Sequence, residues 1–410
     1  MSKLNQLIER LCPNGVEYIP LGDLFNTRNG YTPSKSKSEY WENGTIPWFR
    51  MEDIRENGRI LSDSSQHVSS TAVKGSLFPE NSIIVATSAT IGEHALLTVP
   101  SLANQRFTYL MIKEAYKDKF DMMFLYYYCF KLDSYCKECL NQGNFASVDM
   151  RKFVLFQFPI PPIEVQREIV RILDSFTELT AELTAELTAE LTARQQQYEY
   201  YRDHLLTFSN DVPQVELGDY FPHIRNGFVG TATPYFTTEE DGIRYLKGTN
   251  IHNGIISDND YCYITPAFHQ KHIRNELKAD DILVVQSGHV GECAVVGEKY
   301  AGANCHALII MSNGGQCSSK FVVHYLHSAE GKRKIAAITT GGTVKHILAS
   351  EMKKFKIPFP PIAEQERIVA LLDRYDFLCH DITLGLPAEI KARQKQYEYY
   401  RDKLLTFKEA

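Results

Sequence analysis

Residues 194–208 read RQQQYEYYRDHLLTF, and residues 393–407 read RQKQYEYYRDKLLTF. The two stretches differ only at Gln196/Lys395 and His204/Lys403, and they stand 199 residues apart (393 minus 194). Chance does not repeat fifteen residues so closely within one chain. The sequence is therefore an internal duplication of a unit about half its length, and a long repeat governs the reading of the whole fold.

Working outward, the duplication extends over most of the chain. Leu21-Gly22-Asp23 followed by Arg28-Asn29-Gly30 is answered by Leu217-Gly218-Asp219 followed by Arg225-Asn226-Gly227. The apolar run SIIVATSATIGEHALL (82–97) is answered by DILVVQSGHVGECAVV (281–296). An Ala-Asn pair follows in each copy, Ala103-Asn104 and Ala303-Asn304. Each globular part closes on a proline-rich strand, Phe158 to Ile163 and Ile357 to Ile362, that leads into a helix start, EVQREIVRILDSF or AEQERIVALLDRY. The order is globular part, helix, globular part, helix.

From Glu164 to Phe208 there is neither Pro nor Gly, and strong helix formers dominate. Pro161 and Pro162 suit a helix entry. A helix of this length spans roughly 65 Å. The second helix starts at Ala363, and Gly385 and Pro387 predict a break near 385–387. Apolar residues recur at helical spacing, as Ile169, Ile172, Leu173 and Phe176 and as Ile368, Leu371, Leu372 and Tyr375. The expectation is that the two stripes pair with each other.

Inside the first helix, Thr-Ala-Glu-Leu occurs three times without a break, at 180–183, 184–187 and 188–191. A period of four against 3.6 residues per turn makes the row Leu179, Leu183, Leu187, Leu191 drift around the helix. It also sets Glu182, Glu186 and Glu190 at i,i+4, a mildly unfavourable like-charge row. Such a repeat suits a spacer in which length matters more than surface. The plainer reading is a solvated helix face.

Composition is that of an ordinary globular protein, 44% hydrophobic and 23% charged. No apolar run reaches a membrane span, and MSKLNQLIERLCPNG is no signal peptide, so a cytoplasmic protein is expected. Nine cysteines without paired spacing suit reduced thiols. Cys136 and Cys139 form a lone CxxC in a helical stretch, which reads as ordinary thiols, and no metal is expected. A net charge of −6 excludes a generally basic DNA-coating protein but leaves room for local basic faces.

Catalytic signatures are absent from the sequence. It holds no GxxxxGK[ST], HExxH or GxSxG, and no Asn/Asp-Pro-Pro-aromatic tetrapeptide of the kind that holds a target amino group in DNA methylation. The chain reads as a binding subunit and not as an enzyme. Duplex DNA is a natural partner for a two-copy protein, since paired sites mirror protein symmetry.

Two globular regions each followed by a long helix, the duplicated QYEYYRD and the TAEL array resemble the specificity subunit of a type I restriction-modification system, in the IC-like subfamily with TAEL repeats. The resemblance covers essentially the whole chain. It implies an α+β fold: two globular α/β target recognition domains separated by two long antiparallel helices, in a pseudo-two-fold internal repeat. The implied domains are residues 1–160 (first recognition domain), 161–208 (central spacer helix), 209–358 (second recognition domain) and 359–410 (distal spacer helix). The implied role is recognition of a bipartite asymmetric site with a nonspecific gap of about seven base pairs. Two modification (methyltransferase) subunits and restriction/translocase subunits would be the partners. S-adenosylmethionine, ATP and Mg would belong to them, with no cofactor in this chain. A coiled-coil protein-binding scaffold without DNA recognition is the alternative.

Positions alike in both copies cannot distinguish two half-sites, so they read as scaffold or partner contacts. Tyr198, Tyr201 and Arg202, with Tyr397, Tyr400 and Arg401, are therefore candidates for partner binding, or else for a helix seam. The candidate DNA readers are taken from the turns in which equivalent positions differ in chemistry, together with their shared neighbours. In the first copy these are Thr87, Ser88, Thr90, Asn104, Gln105, Arg106, Gln142 and Asn144. In the second they are Gln286, Ser287, His289, Asn304, His306, Lys345 and His346. Arg and Gln pair with guanine and adenine edges, and the others can bond base edges or phosphates.

Overall fold

The computed structural model describes residues 3–141, 146–260, 262–341, 345–380 and 385–410. The chain forms two compact units. One comprises Met1–Thr184 with Ala392–Ala410, and the other Ala185–Lys391. Each globular region is thus completed by parts of both long helices.

In the first unit, Ser82–Ala86 and His94–Leu97 are buried at every position, as continuous apolar runs require of strands covered on both faces. They sit inside a five-stranded sheet ordered Phe25–Asn29, Phe107–Ile112, Ser82–Ala86, His94–Leu97, Ile60–Leu61. Side chains alternate across it. Ile83 and Val85 face the helix Met122–Glu138 in one core, while Ile84 and Ala86 face Trp48, Phe49 and Phe78 in another. A three-stranded sheet, His67–Val68, Ile46–Phe49 and Leu102–Ala103, lies beyond that second face.

The second unit repeats the plan. Its main sheet runs His223–Asn226, Leu308–Ser312, Ile282–Val285, Cys293–Val295, the same order as the equivalent strands of the first. Ile282 and Val284 meet the helix Ser319–His327, and Leu283 and Val285 fill a separate core with Leu246 and Ile251. A second sheet orders Phe236–Thr237, Cys262–Ile264, Ile243–Leu246 and Asn304–Cys305.

The first long helix is one unbroken element, Ile163–Leu205, 43 residues long. The distal helix is two, Ile362–His380 and Leu386–Leu404, with the break where Gly385 and Pro387 place it. Proline in the first turn of the new helix loses no intrahelical bond. The apolar stripes, however, do not pair with each other as the sequence suggested. Val165, Ile169 and Leu173 are buried against Phe124 and Leu125 in the first unit's core. Ile368, Val369 and Leu372 are buried with Phe321 and Val322 in the second's. Burial under a globular sheet-and-helix layer removes more apolar surface from water than a two-helix seam. Helix pairing occurs elsewhere. Phe176 meets Tyr400 edge-on at 6.2 Å, and Thr177 meets the Tyr397 hydroxyl at 2.9 Å, an antiparallel progression.

The two QYEYYRD segments are exchanged between the copies. The second one seals the first unit: Leu405 is fully buried in its core, and the Val16 N–H donates to the Lys408 carbonyl at 2.9 Å. The first one seals the second unit through Leu206 and Phe208, the latter edge-on to Phe321.

Candidate nucleic-acid interface

The shared phrase Arg-Asn-Gly has a steric cause. A Cβ at Gly30 would stand 2.3 Å from the Asn104 carbonyl oxygen, and one at Gly227 would stand 2.6 Å from Cys305 Sγ. Only glycine lets the strand end pass so close to the turn after Ala-Asn. The preceding arginines hold loops by their backbones. Arg28 reaches the Ser76 carbonyl and covers Phe78 at 3.8 Å. Arg225 reaches the Arg274 and Glu276 carbonyls and Ser312 Oγ. Both are scaffold, as their identity in the two copies implied.

Gly30 and Gly227 each launch a loop that leans on the Ala-Asn turn. In the first unit the Tyr31 N–H donates to the Ala103 carbonyl at 2.8 Å, and Thr32 Oγ1 donates to Gln105 Oε1. Trp48 Nε1 donates to the Tyr31 carbonyl at 2.9 Å, and Trp41 packs edge-on against Trp48. The Thr87 N–H donates to the Arg106 carbonyl, which sets the 87–90 turn beside Gln105 and Arg106. Ser88 bridges to Ser147, so the segment after α-helical Met122–Glu138 joins the same rim. In the second unit Phe228 bridges to His306, and Ser287 bridges to His346. Each unit therefore gathers four separated segments into one rim.

Residues 13–193 and 214–392 match the type I restriction modification DNA specificity domain, one match per copy. The chain belongs to the type I restriction-modification DNA specificity family. It is 42% identical over 408 residues to the type I restriction enzyme EcoprrI specificity subunit of Escherichia coli, covering 93% of each chain. It is 35% identical to a putative type I restriction enzyme specificity subunit of Haemophilus influenzae, with 96% of each covered. With the EcoR124I/EcoR124II specificity subunit of Escherichia coli it shares 33% identity over 72% of this chain and 74% of that one. Among solved structures, a chain from a study of complex assembly and conformational transition in the type I R-M system shares the fold. Its TM-score is 0.67 at 16% identity, over 96% of this chain and 98% of that one. The HsdS subunit from Thermoanaerobacter tengcongensis follows with 0.50 at 15% identity and 96% coverage of each. The specificity subunit is the DNA-selecting, non-catalytic member of such a system, and it works with the system's other subunits.

Within this specificity subunit the expected readers divide. Gln105 and Arg106 are exposed, Ser88 and Thr90 half-buried. Ser287, His289 and Lys345 are exposed, and Gln286, His306 and His346 are half-buried. Three others make hydrogen bonds within their own unit. Thr87 is buried, with Oγ1 2.9 Å from Thr108 Oγ1. Asn104 Oδ1 accepts from the Arg106 N–H at 2.9 Å and shapes the turn. Asn304 is fully buried, accepting from the Cys305 N–H and donating to the His272 carbonyl. A buried polar group left unbonded is costly, so Thr87 and Asn304 bond inside the fold, while half-buried Asn104 bonds within its own turn. Gln142 and Asn144 lie outside the described residues.

The expected partner-binding set divides as well. Tyr198 and Arg202 are buried in the second unit, where Tyr198 Oη lies 3.2 Å from His324 Nδ1 and Arg202 covers the Tyr198 ring. Burial raises the Tyr198 phenol's pKa. Arg401 is buried in the first unit, its guanidinium 4.1 Å from the Phe130 ring centre. These three form seams within the chain. Tyr201 stacks on Tyr375, and Tyr397 bonds Thr177. Tyr400 is exposed, and so are Tyr200 and Tyr399, which the sequence argument passed over. In the first unit Tyr397 and Tyr400 line an apolar hollow of about 370 Å³ with Phe176, Leu179 and Leu183.

His324 Nε2 also lies 3.1 Å from Asp373 Oδ1. Burial opposes ionisation of Asp373, but its bonds to His324 and Lys320 leave its pKa below the ordinary value. At the equivalent place in the first unit Tyr127 donates to Asp174 at 2.7 Å. Cys136 is buried in the first unit's core, where burial pushes its thiol up to about 12, so it offers no ready thiolate. Among the described residues no helix is long and apolar enough to cross a membrane.

Proposed function

We propose that this chain reads a bipartite, asymmetric DNA site, one half through each rim, and presents it to two modification subunits docked on its helices. The observation that carries this reading is the repeat itself. Two similar scaffolds, with the same order of equivalent strands in the main sheet and the same glycine-launched loops, hold rims whose exposed residues differ. Equal framework with unequal edge chemistry is what two different half-sites on one duplex require.

The TAEL helix then sets the distance between the half-sites, with an unread gap of about seven base pairs. The hollow beside Phe176, Leu179 and Tyr400, with exposed Tyr399, and the exposed Tyr200 offer apolar and aromatic anchors for modification subunits. Those partners would bring S-adenosylmethionine and adenine methylation, and restriction subunits would bring ATP, Mg and cleavage, all in the cytoplasm.

The test is methyl transfer from labelled S-adenosylmethionine. The chain alone is expected to transfer nothing. Co-expressed with its modification subunits, it is expected to give adenine methylation at one bipartite motif. Transfer by the purified chain alone, or methylation without a defined motif, would overturn the reading.

A further inference from the structure

The two rims carry opposite chemistry at equivalent places. After the shared Arg-Asn-Gly, the first unit's loop reads YTPSKSKSEYW (31–41). Its Ser34, Lys35, Ser36, Lys37 and Ser38 are all exposed, next to exposed Gln105 and Arg106. The second unit's loop reads FVGTATPYF (228–236) and contains no charged residue. Instead it exposes Val229 to 64%, Tyr235 to 42% and Phe236 to 40%.

That apolar display is built and braced. Tyr235 stacks on Phe268 at 4.3 Å, and Phe228 meets Phe268 edge-on at 4.9 Å. Behind it His306 takes the place of Arg106, with Nδ1 3.3 Å from Tyr245 Oη. Burial, with Lys247 nearby, lowers the His306 pKa, so the ring is uncharged at neutral pH. The next residue, Ala307, sits at φ 47°, a left-handed conformation that a Cβ disfavours. Its N–H donates to the Phe228 carbonyl at 2.9 Å, which pins the strained turn to the apolar loop. Strain of this kind persists where the surroundings enforce it and concentrates at working sites.

We propose that the two half-sites are read by different forces. The first unit reads through charged and hydrogen-bonding groups, Lys35, Lys37, Gln105 and Arg106. The second reads thymine methyl groups through Val229, Tyr235 and Phe236. The inference rests on the DNA-specificity reading above. Lysine and arginine neutralise phosphates and bond guanine edges, and the FVGTATPYF loop has no cationic group with which to do so. The apolar feature that a base edge offers in the major groove is the thymine methyl. Phosphate contacts release counterions and so depend on salt, whereas methyl contacts do not.

The experiment uses the complex assembled with its modification subunits and duplexes carrying the methylated motif. Half-sites are assigned to units by exchanging residues 215–356 with those of a relative. Each thymine is replaced in turn by uracil, which removes the methyl and keeps the hydrogen bonds. At least one uracil in the second unit's half-site is expected to weaken binding about fourfold, the worth of one buried methyl group. Val229→Ala is expected to erase that difference, and uracil in the first half-site to change little. The double variant K35A/K37A is expected to lower the slope of log affinity on log salt by about one to two, while V229A leaves the slope unchanged. Equal uracil effects in both half-sites, none in either, or a slope that follows V229A would overturn this inference alone. A wild-type complex that binds no defined motif would overturn the specificity reading together with it.

Discussion

The Gln166 side chain accepts from the Asp121 N–H at 2.8 Å, tying the long helix to the start of the helix that covers the first unit's sheet. Its Nε2 also donates to the Lys119 and Pro161 carbonyls. Gln365, its counterpart, accepts from the Ser318 N–H at 3.0 Å and donates to the Pro360 carbonyl. Both side chains are fully buried. One amide thus joins proline run, long helix and covering helix in each copy. Gln166→Leu strands three backbone groups and is expected to destabilise the first unit by about 2–4 kcal/mol. Gln365→Leu strands two groups and is expected to cost the second unit less. Denaturant midpoints of the two variants check the order.

This bond explains why so much was legible in the sequence. Gln166 and Gln365, or Gly30 and Gly227, are identical across the copies because each has one geometrically permitted answer. The repeat therefore exposes the scaffold by itself. Periodicity told less, because it shows that Ile169, Leu173, Ile368 and Leu372 lie on one face but not what covers it. The rim was half legible. Thr87, Asn104 and Asn304 look like readers in sequence, and only the structure shows Thr87 and Asn304 bonded inward and Asn104 bonded within its own turn. The contrast between YTPSKSKSEYW and FVGTATPYF was in plain view. No periodicity or repeat marks those loops as part of a rim, because only backbone bonds in the folded chain set them beside the Ala-Asn turns.

The exchange of helix ends makes a long-range prediction. Leu405 belongs to the second copy by sequence but is buried in the first unit's core, and Leu206 is buried in the second's. Leu405→Ala is expected to destabilise the first unit by about 2–5 kcal/mol and to leave the second unit's transition in place. Leu206→Ala is expected to do the reverse. Limited proteolysis mapped along the denaturation curve distinguishes the units, and a loss confined to the second unit in L405A would contradict the exchange.

Glu168 gives a pH dependence with a definite sign. Its hydrogen bonds to Arg171 and then Lys3 hold its carboxyl at about 2, below the ordinary 4.5. The folded-state pKa is depressed, so the stabilisation is present above pH 4.5 and is lost as pH falls toward 2. Both cationic partners are largely exposed, so solvent screening keeps the effect modest. Glu168→Gln is expected to be less stable than the wild type at neutral pH, and the two are expected to converge as pH falls below 4.5. A urea midpoint difference that grows with acidification would reverse the assignment.

The TAEL array makes the sharpest test of the helix as a ruler. Leu183 and Leu187 are half-buried, Leu179 is 52% exposed, and the repeats lie within one continuous helix, Ile163–Leu205. Removing Thr188–Leu191 shortens that helix by about 6 Å, against about 3.4 Å for each base-pair step. A helix inclined to the DNA axis projects less than its full length, so the unread gap is expected to shrink by one base pair. Four residues turn a helix by about 400°, leaving downstream faces rotated by only about 40°. The Tyr201–Tyr375 stack and the buried Tyr198 can then keep their partners in the second unit with a small twist. The half-sites themselves are expected to stay the same, because no rim residue is touched. Sequencing of adenine methylation in cells carrying the three-copy and the two-copy protein measures both quantities at once. A gap unchanged at full activity would make the array a solvated helix face with no metric role.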